Sequence, residues 1–178
     1  MTSHAPSSQA IFISDCEGPV SRNDNAFELA SHFIPEGSRL FTFISRYDDV
    51  LADIVKRNGY KAGDTLKLIL PFLKAYNVSN AMMTVFSLQN MLLVPAAKEM
   101  LAFVRRSMPA YIVSTSYEQY MRALCDVIGF PFEDVICTHL DLDRYEIVEE
   151  EKEELKRLAE EIVKLPMLEI PKSAHYLR

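Results

Sequence analysis

The chain has 178 residues, 49% of them hydrophobic, enough for one ordinary domain with a real core and a small inserted subdomain. Its 25 acids outnumber 19 lysines and arginines, for a net charge of −6, and no basic stripe of the kind a nucleic-acid surface needs is present. Three cysteines without short paired spacing, Cys16, Cys125 and Cys137, do not suggest a disulfide framework or a zinc knuckle and fit a reduced, cytoplasmic protein.

Residues 1–9 are small and polar, lack the basic start and apolar run of a signal peptide, and read as a disordered terminus. Then comes Ile11-Phe12-Ile13-Ser14-Asp15-Cys16-Glu17-Gly18-Pro19. The short apolar run predicts a buried parallel strand, and Gly18-Pro19 stops it. Two acids are thereby left at the carboxyl end of a strand, where open α/β sheets place their ligands. Taken alone, a solvated acidic turn explains them equally well.

From 25 to 93 no strand is predicted. A helix over 26–33 ends at Pro35-Glu36-Gly37-Ser38. Apolar residues at three and four from Leu40 to Val55 predict a long amphipathic helix, stopped by Asn58-Gly59. A short helix over 66–76 contains Pro71, which predicts a kink or break. A further helix covers 81–93. Met82, Met83, Met91, Phe86 and Leu92 read as core filling more readily than as a substrate pocket. The most apolar region, 81–104, carries Lys98, Glu99 and several polar residues, so it is a poor membrane span.

Pro95 opens a helix over 96–106, as a first-turn proline does. Ala110-Tyr111-Ile112-Val113 is a second buried strand that stops at Ser114-Thr115-Ser116. A helix over 117–128 and a third strand over 134–140 follow, then an irregular stretch over 142–147. A charged helix over 149–164 has Leu155, Leu158, Ala159 and Ile162 as its apolar stripe, and acids four residues before bases, as in Glu153 with Arg157 and Glu160 with Lys164. Its charged face reads as an outer, solvated one. Asp141 and Asp143 read as loop acids, and His32 and His139 as structural histidines.

Strands alternating with helices on both sides of an all-helical insertion give a parallel α/β plan. The core takes 10–24 and 94–178 and the helical insertion 25–93. Two strand ends then matter, Asp15 with Glu17 and Ser114. In these residues the chain resembles the haloacid dehalogenase (HAD) superfamily of phosphatases and phosphotransferases. That family's first motif, an apolar strand ending in D-x-D-G-T, is matched by Asp15-Cys16-Glu17-Gly18-Pro19, and its second, a strand ending in Ser or Thr, by Ile112-Val113-Ser114. The helical insertion has the place of the phosphoserine-phosphatase-like cap.

The resemblance implies a Rossmann-like parallel sheet with an inserted α-helical cap, and hydrolysis of a small-molecule phosphate ester. It gives Asp15 the role of nucleophile, forming an aspartyl-phosphate, and Glu17 that of general acid and base. It gives Ser114, Gly18 and Thr115 the phosphate, and a magnesium ion to Asp15 and the main-chain carbonyl of Glu17. The nearest likeness is to an archaeal HAD-like subgroup associated in methanogens with an energy-converting hydrogenase. From this comes the alternative of a catalytically inactive accessory or phospho-ligand-binding protein. A protein partner or a homodimer stays open.

Three departures stand out. Glu17 replaces the family's second Asp, and Pro19 removes a backbone N–H that a Thr would offer. No G-D-x-x-x-D is present, and Lys172 is what the chain offers for the family's lysine. The core is therefore expected to be incomplete at its carboxyl end. The chain is either the amino-terminal part of a longer protein or a shortened member without turnover.

Overall fold

A computed structural model of the chain describes residues 10–60 and 62–167. The architecture is mixed α/β. Three strands, β1 (Phe12–Ser14), β2 (Ala110–Tyr117) and β3 (Val135–Thr138), form a parallel sheet in the order β1-β2-β3. The described residues divide into two compact units, one of residues 10–25 and 84–140, the other of 26–83 and 141–167.

The first unit holds the sheet. Its register sets Phe12 beside Ala110, Ser14 beside Ile112 and Ile112 beside Val135, so these side chains share one face. Onto that face pack Leu101 of α6 (Ala97–Ser107) and Tyr120, Met121 and Leu124 of α7 (Glu118–Ile128), which with Cys16 and Val20 make the core. Gly129, at φ 69°, ends α7, and the N–H groups of Gly129 and Phe130 both donate to the Cys125 carbonyl.

The structure corrects three sequence expectations here. Among the described residues β1 is covered on one face only, with Ile11 58% and Ile13 64% exposed. β2 runs past Ser114 to Tyr117, and its register with β3 shifts between Val113 and Tyr117. Pro95 is not the first residue of α6, because Ala96 (φ 64°) turns the chain into the left-handed region before the helix starts.

The second unit is helical: α1 (Asn25–Phe33), α2 (Gly37–Asp49), α3 (Thr65–Leu68), α4 (Leu70–Ala75) and the start of α5 (Asn80–Gln89), joined by α8 (Glu149–Lys164). The predicted break at Pro71 is found, with α3 and α4 separated at Ile69 and Pro71 in the first turn of α4. The long predicted helix ends sooner than Asn58-Gly59. It loosens into a π turn at Val50–Ile54 and stops where Lys56 takes φ 49°, leaving Val55 exposed. The loop that follows is tied to α2 by the buried Asp48. Its carboxylate accepts from Tyr60 Oη (2.7 Å), Gly63 N (2.8 Å) and Thr65 Oγ1 (3.0 Å). Burial, then this carboxylate, pushes the Tyr60 phenol up.

α8 packs on α2 and α4, so the expected assignment of 94–178 to the sheet does not hold for this helix. The reason is its stripe. Leu155, Leu158 and Ile162 close an apolar cleft of about 430 Å³ with Phe43, Ile44, Tyr47, Leu68, Pro71 and Phe72. Arg39 of α2 fixes the other end, donating from Nε to the Val163 carbonyl (2.5 Å) and from its terminal nitrogen to that of Leu165 (2.9 Å). The ion pairs along α8 fall mostly at three residues, as in Glu153 with Lys156 and Glu154 with Arg157, rather than at the expected four. Among the described residues no helix is long and apolar enough to cross a membrane.

Candidate functional site

β1 and β2 are parallel neighbours, but β1 pairs only as far as Ser14, opposite Ile112, while β2 runs on to Tyr117 beside β3. Ser14 lies beside Ile112, which puts Asp15 one step beyond the last β1 pair and Ser114 two steps beyond its β2 partner. Asp15 and Glu17 follow the end of β1, as expected, while Ser114 lies within β2 rather than at its end. Asp15 and Glu17 are exposed, and Ser114 is half-buried.

The loop after β1 is held tightly. Asp15 Oδ1 accepts from the Cys16 N–H at 2.6 Å. The Cys16 carbonyl takes the N–H groups of Val20 (3.0 Å) and Ser21 (2.9 Å). Gly18 sits at φ 95°, which a side chain would strain, in space that is otherwise open. Its N–H donates to the Ser21 carbonyl at 2.7 Å. That bond occupies the group through which a phosphate would be bound at Gly18, so the expected role does not fit this arrangement.

Between Val113 and Tyr117, β2 has four steps where β3, from Ile136 to Thr138, has two. The extra residues bulge out at Ser114-Thr115-Ser116, a device that re-aims side chains beside functional sites. Thr138 Oγ1 donates to the Thr115 carbonyl (2.6 Å), pinning the bulge to β3. Ser114 Oγ accepts from the Ser116 N–H (3.1 Å), which leaves its own hydroxyl proton to donate elsewhere. Ser116 Oγ in turn donates to Glu17 Oε1 at 3.1 Å. This bond joins the loop after β1 to the bulge of β2, and the sequence points to Ser114 and not to Ser116. Thr115 is exposed.

Behind the loop lies a buried polar trio that local sequence patterns do not reveal. Ser21 Oγ is hydrogen-bonded to Tyr120 Oη and donates to Asn23 Oδ1 (2.9 Å), and Asn23 Oδ1 also accepts from Tyr120 Oη (3.3 Å) and the Leu92 N–H (2.7 Å). Ser21, Asn23 and Tyr120 are nearly inaccessible. Tyr120 lies 99 residues from Ser21 and 97 from Asn23, so spacing gives no hint of the trio.

Cys16, between the two acids, is fully buried, and its thiol is pushed up to about 12, by burial first and then by Glu17 and Asp15. That agrees with the expectation that it is not a nucleophile. His139 pairs with Glu118 (2.8 Å), while Asp141 and Asp143 serve Asn80 at the start of α5, accepting from its Nδ2 (2.8 Å) and its N–H (3.2 and 3.3 Å) respectively. Lys172, like residues 1–9, lies outside the described residues.

Among the described residues no group of three or more His, Cys, Asp or Glu could hold a metal ion. A magnesium ion asks for less. It takes hard oxygen donors, keeps several waters, and is commonly bound by one or two carboxylates together with substrate phosphate. The carboxylate of the exposed Asp15 and the main-chain carbonyl of Glu17, the two donors expected for it, are hard oxygens of that kind.

No family model matches the chain, and no curated protein matches it. A solved structure does. The chain is similar to the gene product AF1437 from Archaeoglobus fulgidus, with 34% identity and a TM-score of 0.82. The likeness covers 95% of this chain and 53% of that one, so this chain spans about half the length of the Archaeoglobus protein.

Proposed function

We propose that the chain is a HAD-type, magnesium-dependent phosphatase, acting on a small-molecule phosphate ester through an aspartyl-phosphate on Asp15. The observation that supports this reading is the Ser116–Glu17 hydrogen bond, which ties the loop after β1 to the bulge of the neighbouring β2. Asp15 attacks phosphorus from a rigid strand end. Glu17, two residues on, gives a proton to the leaving oxygen and then takes one from the water that releases phosphate. The Ser116 hydroxyl orients the Glu17 carboxyl for both steps. The free hydroxyl proton of Ser114 is available to a phosphate oxygen, and Thr115 stands beside it on the bulge. Magnesium held by Asp15 and the Glu17 carbonyl would offset the repulsion between carboxylate and phosphate.

A generic aryl phosphate tests the proposal. Magnesium-dependent release of the phenol is expected, with Asp15→Asn lowering the rate by roughly a thousandfold or more and mass spectrometry finding the phosphoryl group on Asp15 in trapped wild-type protein. Turnover that survives Asp15→Asn would overturn the assignment. Binding of phosphate without turnover would favour the accessory, ligand-binding alternative.

A further inference from the structure

Tyrosine and phenylalanine fill nearly the same space, but a buried phenol must also find a hydrogen-bond partner. Tyr120, in the first turn of α7, is 1% exposed and packs among Cys16, Val20, Met121 and Leu124. A phenylalanine would satisfy that packing alone. The hydroxyl is accounted for by Ser21, to whose Oγ it is hydrogen-bonded, and by Asn23 Oδ1 at 3.3 Å. Ser21 Oγ donates its own proton to Asn23 Oδ1 (2.9 Å) and accepts from the Asn23 N–H (3.1 Å), so the proton between the two hydroxyls is Tyr120's. A satisfied polar network in apolar surroundings rigidifies the chain around it and specifies one arrangement.

What Tyr120 reaches is the far end of the acid loop. The N–H groups of Gly18, Val20 and Ser21 bond that loop to itself, through the Ser21 and Cys16 carbonyls, and give it its shape. Side-chain bonds then tie this shape to the stretch that runs from the β2 bulge into α7. Ser116 Oγ holds Glu17 Oε1 (3.1 Å) at one end of the loop, and Tyr120 holds Ser21 at the other. Ser114 lies on the same bulge, and its Oγ accepts from the Ser116 N–H (3.1 Å).

We infer that Tyr120 is a positioning residue: acting through Ser21, it fixes Asp15 and Glu17 against the bulge that carries Ser114 and Ser116. This role rests on the phosphatase reading of those residues, and adds to it a group that touches neither substrate nor acid. Phosphoryl transfer tolerates little misplacement of nucleophile or acid, and a shift of about 1 Å can cost on the order of a hundredfold in rate. Removing the Tyr120 hydroxyl leaves the internal bonds of the loop and the Ser116 bond in place, so a smaller loss is expected.

Hydrolysis of a generic aryl phosphate by wild type, Tyr120→Phe, Ser21→Ala and the double variant tests this. Each single variant should lower kcat roughly tenfold with KM within about twofold, because the alignment of the acids matters in the transition state. The double variant should lose no more than the worse single one, since both hydroxyls act on one path. Ile128→Val trims the same core at the far end of α7, and should keep wild-type kcat despite a lower urea midpoint. Hydrogen exchange gives a readout free of turnover. The amides of Gly18, Val20 and Ser21 should exchange several-fold faster in Tyr120→Phe and as in wild type in Ile128→Val. Full kcat in Tyr120→Phe, an equal loss in Ile128→Val, or loop amides in Tyr120→Phe that exchange as in wild type would each overturn the inference. Wild-type protein without turnover would instead overturn the phosphatase reading, and loop exchange would still decide whether the Tyr120 hydroxyl holds the loop.

Discussion

Cys16 illustrates how much a single side chain's surroundings decide. It sits between two exposed acids, yet its sulfur is directed into the core with Ile112 and Met121. Burial, then the neighbouring carboxylates, raises its thiol from 9.0 to about 12, and burial raises Cys125 to about 12 as well. Both groups therefore hold their protons more tightly in the folded chain than in the unfolded one. Their contribution is fully present below about pH 9 and is lost as pH climbs from there toward 12. Each buried thiol should remove on the order of 1 kcal/mol of stability per pH unit in that window. Urea midpoints measured from pH 8 to 10.5 should fall accordingly, and Cys16→Ala should flatten the slope even if it lowers the midpoint at pH 8. An unchanged slope would mean that the thiol ionises as freely in the folded chain as in the unfolded one. The placement of Asp15 and Glu17 just past β1 could be anticipated from sequence, because an apolar run followed by a polar break marks where that strand ends. Ser116 and the Ser21–Asn23–Tyr120 trio could not, since hydroxyls and amides carry no periodicity and their partners are distant in the chain.

Elements end here for reasons that look alike in sequence and differ in space. Gly18 and Gly37 both follow apolar segments and both read as stops. Gly18 is needed for its φ of 95°, with open space around it. Gly37 opens α2 pressed against α1, where an added Cβ would stand 1.8 Å from the Ala30 carbonyl oxygen. Gly18→Ala should therefore cost about 1–2 kcal/mol, the strain of one left-handed residue. Gly37→Ala should cost about 3 kcal/mol, because backbone rather than a flexible side chain must give way. Thermal or urea unfolding of the two variants checks the order, and equal losses would mean that the α1–α2 corner yields easily. Element types were readable because helical and strand periodicities differ. The end of β2 was not, because Ser114-Thr115-Ser116 looks like a break whether the chain leaves the sheet or bulges within it.

At the scale of the molecule, a stripe tells that a helix is buried but not on what. The apolar face of α8 was evident from Leu155, Leu158, Ala159 and Ile162, and continuation of a βα alternation assigned it to the sheet. It packs instead on α2 and α4, about a hundred residues earlier, so the helical unit is closed by chain from both sides of the α/β segment. Ala159 is its most buried position, at 3% exposed. The small side chain lets α8 lie close to its neighbours, and a carboxylate there would be desolvated. Ala159→Glu should lower the stability of the helical unit by about 3 kcal/mol, combining overpacking with burial of a charge. Hydrogen exchange should then quicken in α2 and α4 as well as in α8, because Arg39 and the cleft around Phe43 and Phe72 depend on the same packing. Replacing the exposed Glu150 on the same helix by Gln changes charge without touching that packing, and should leave exchange in α2 and α4 as it was. If Ala159→Glu quickened exchange in α8 alone, the helix would be an appendage on a unit that α2 and α4 hold together without it.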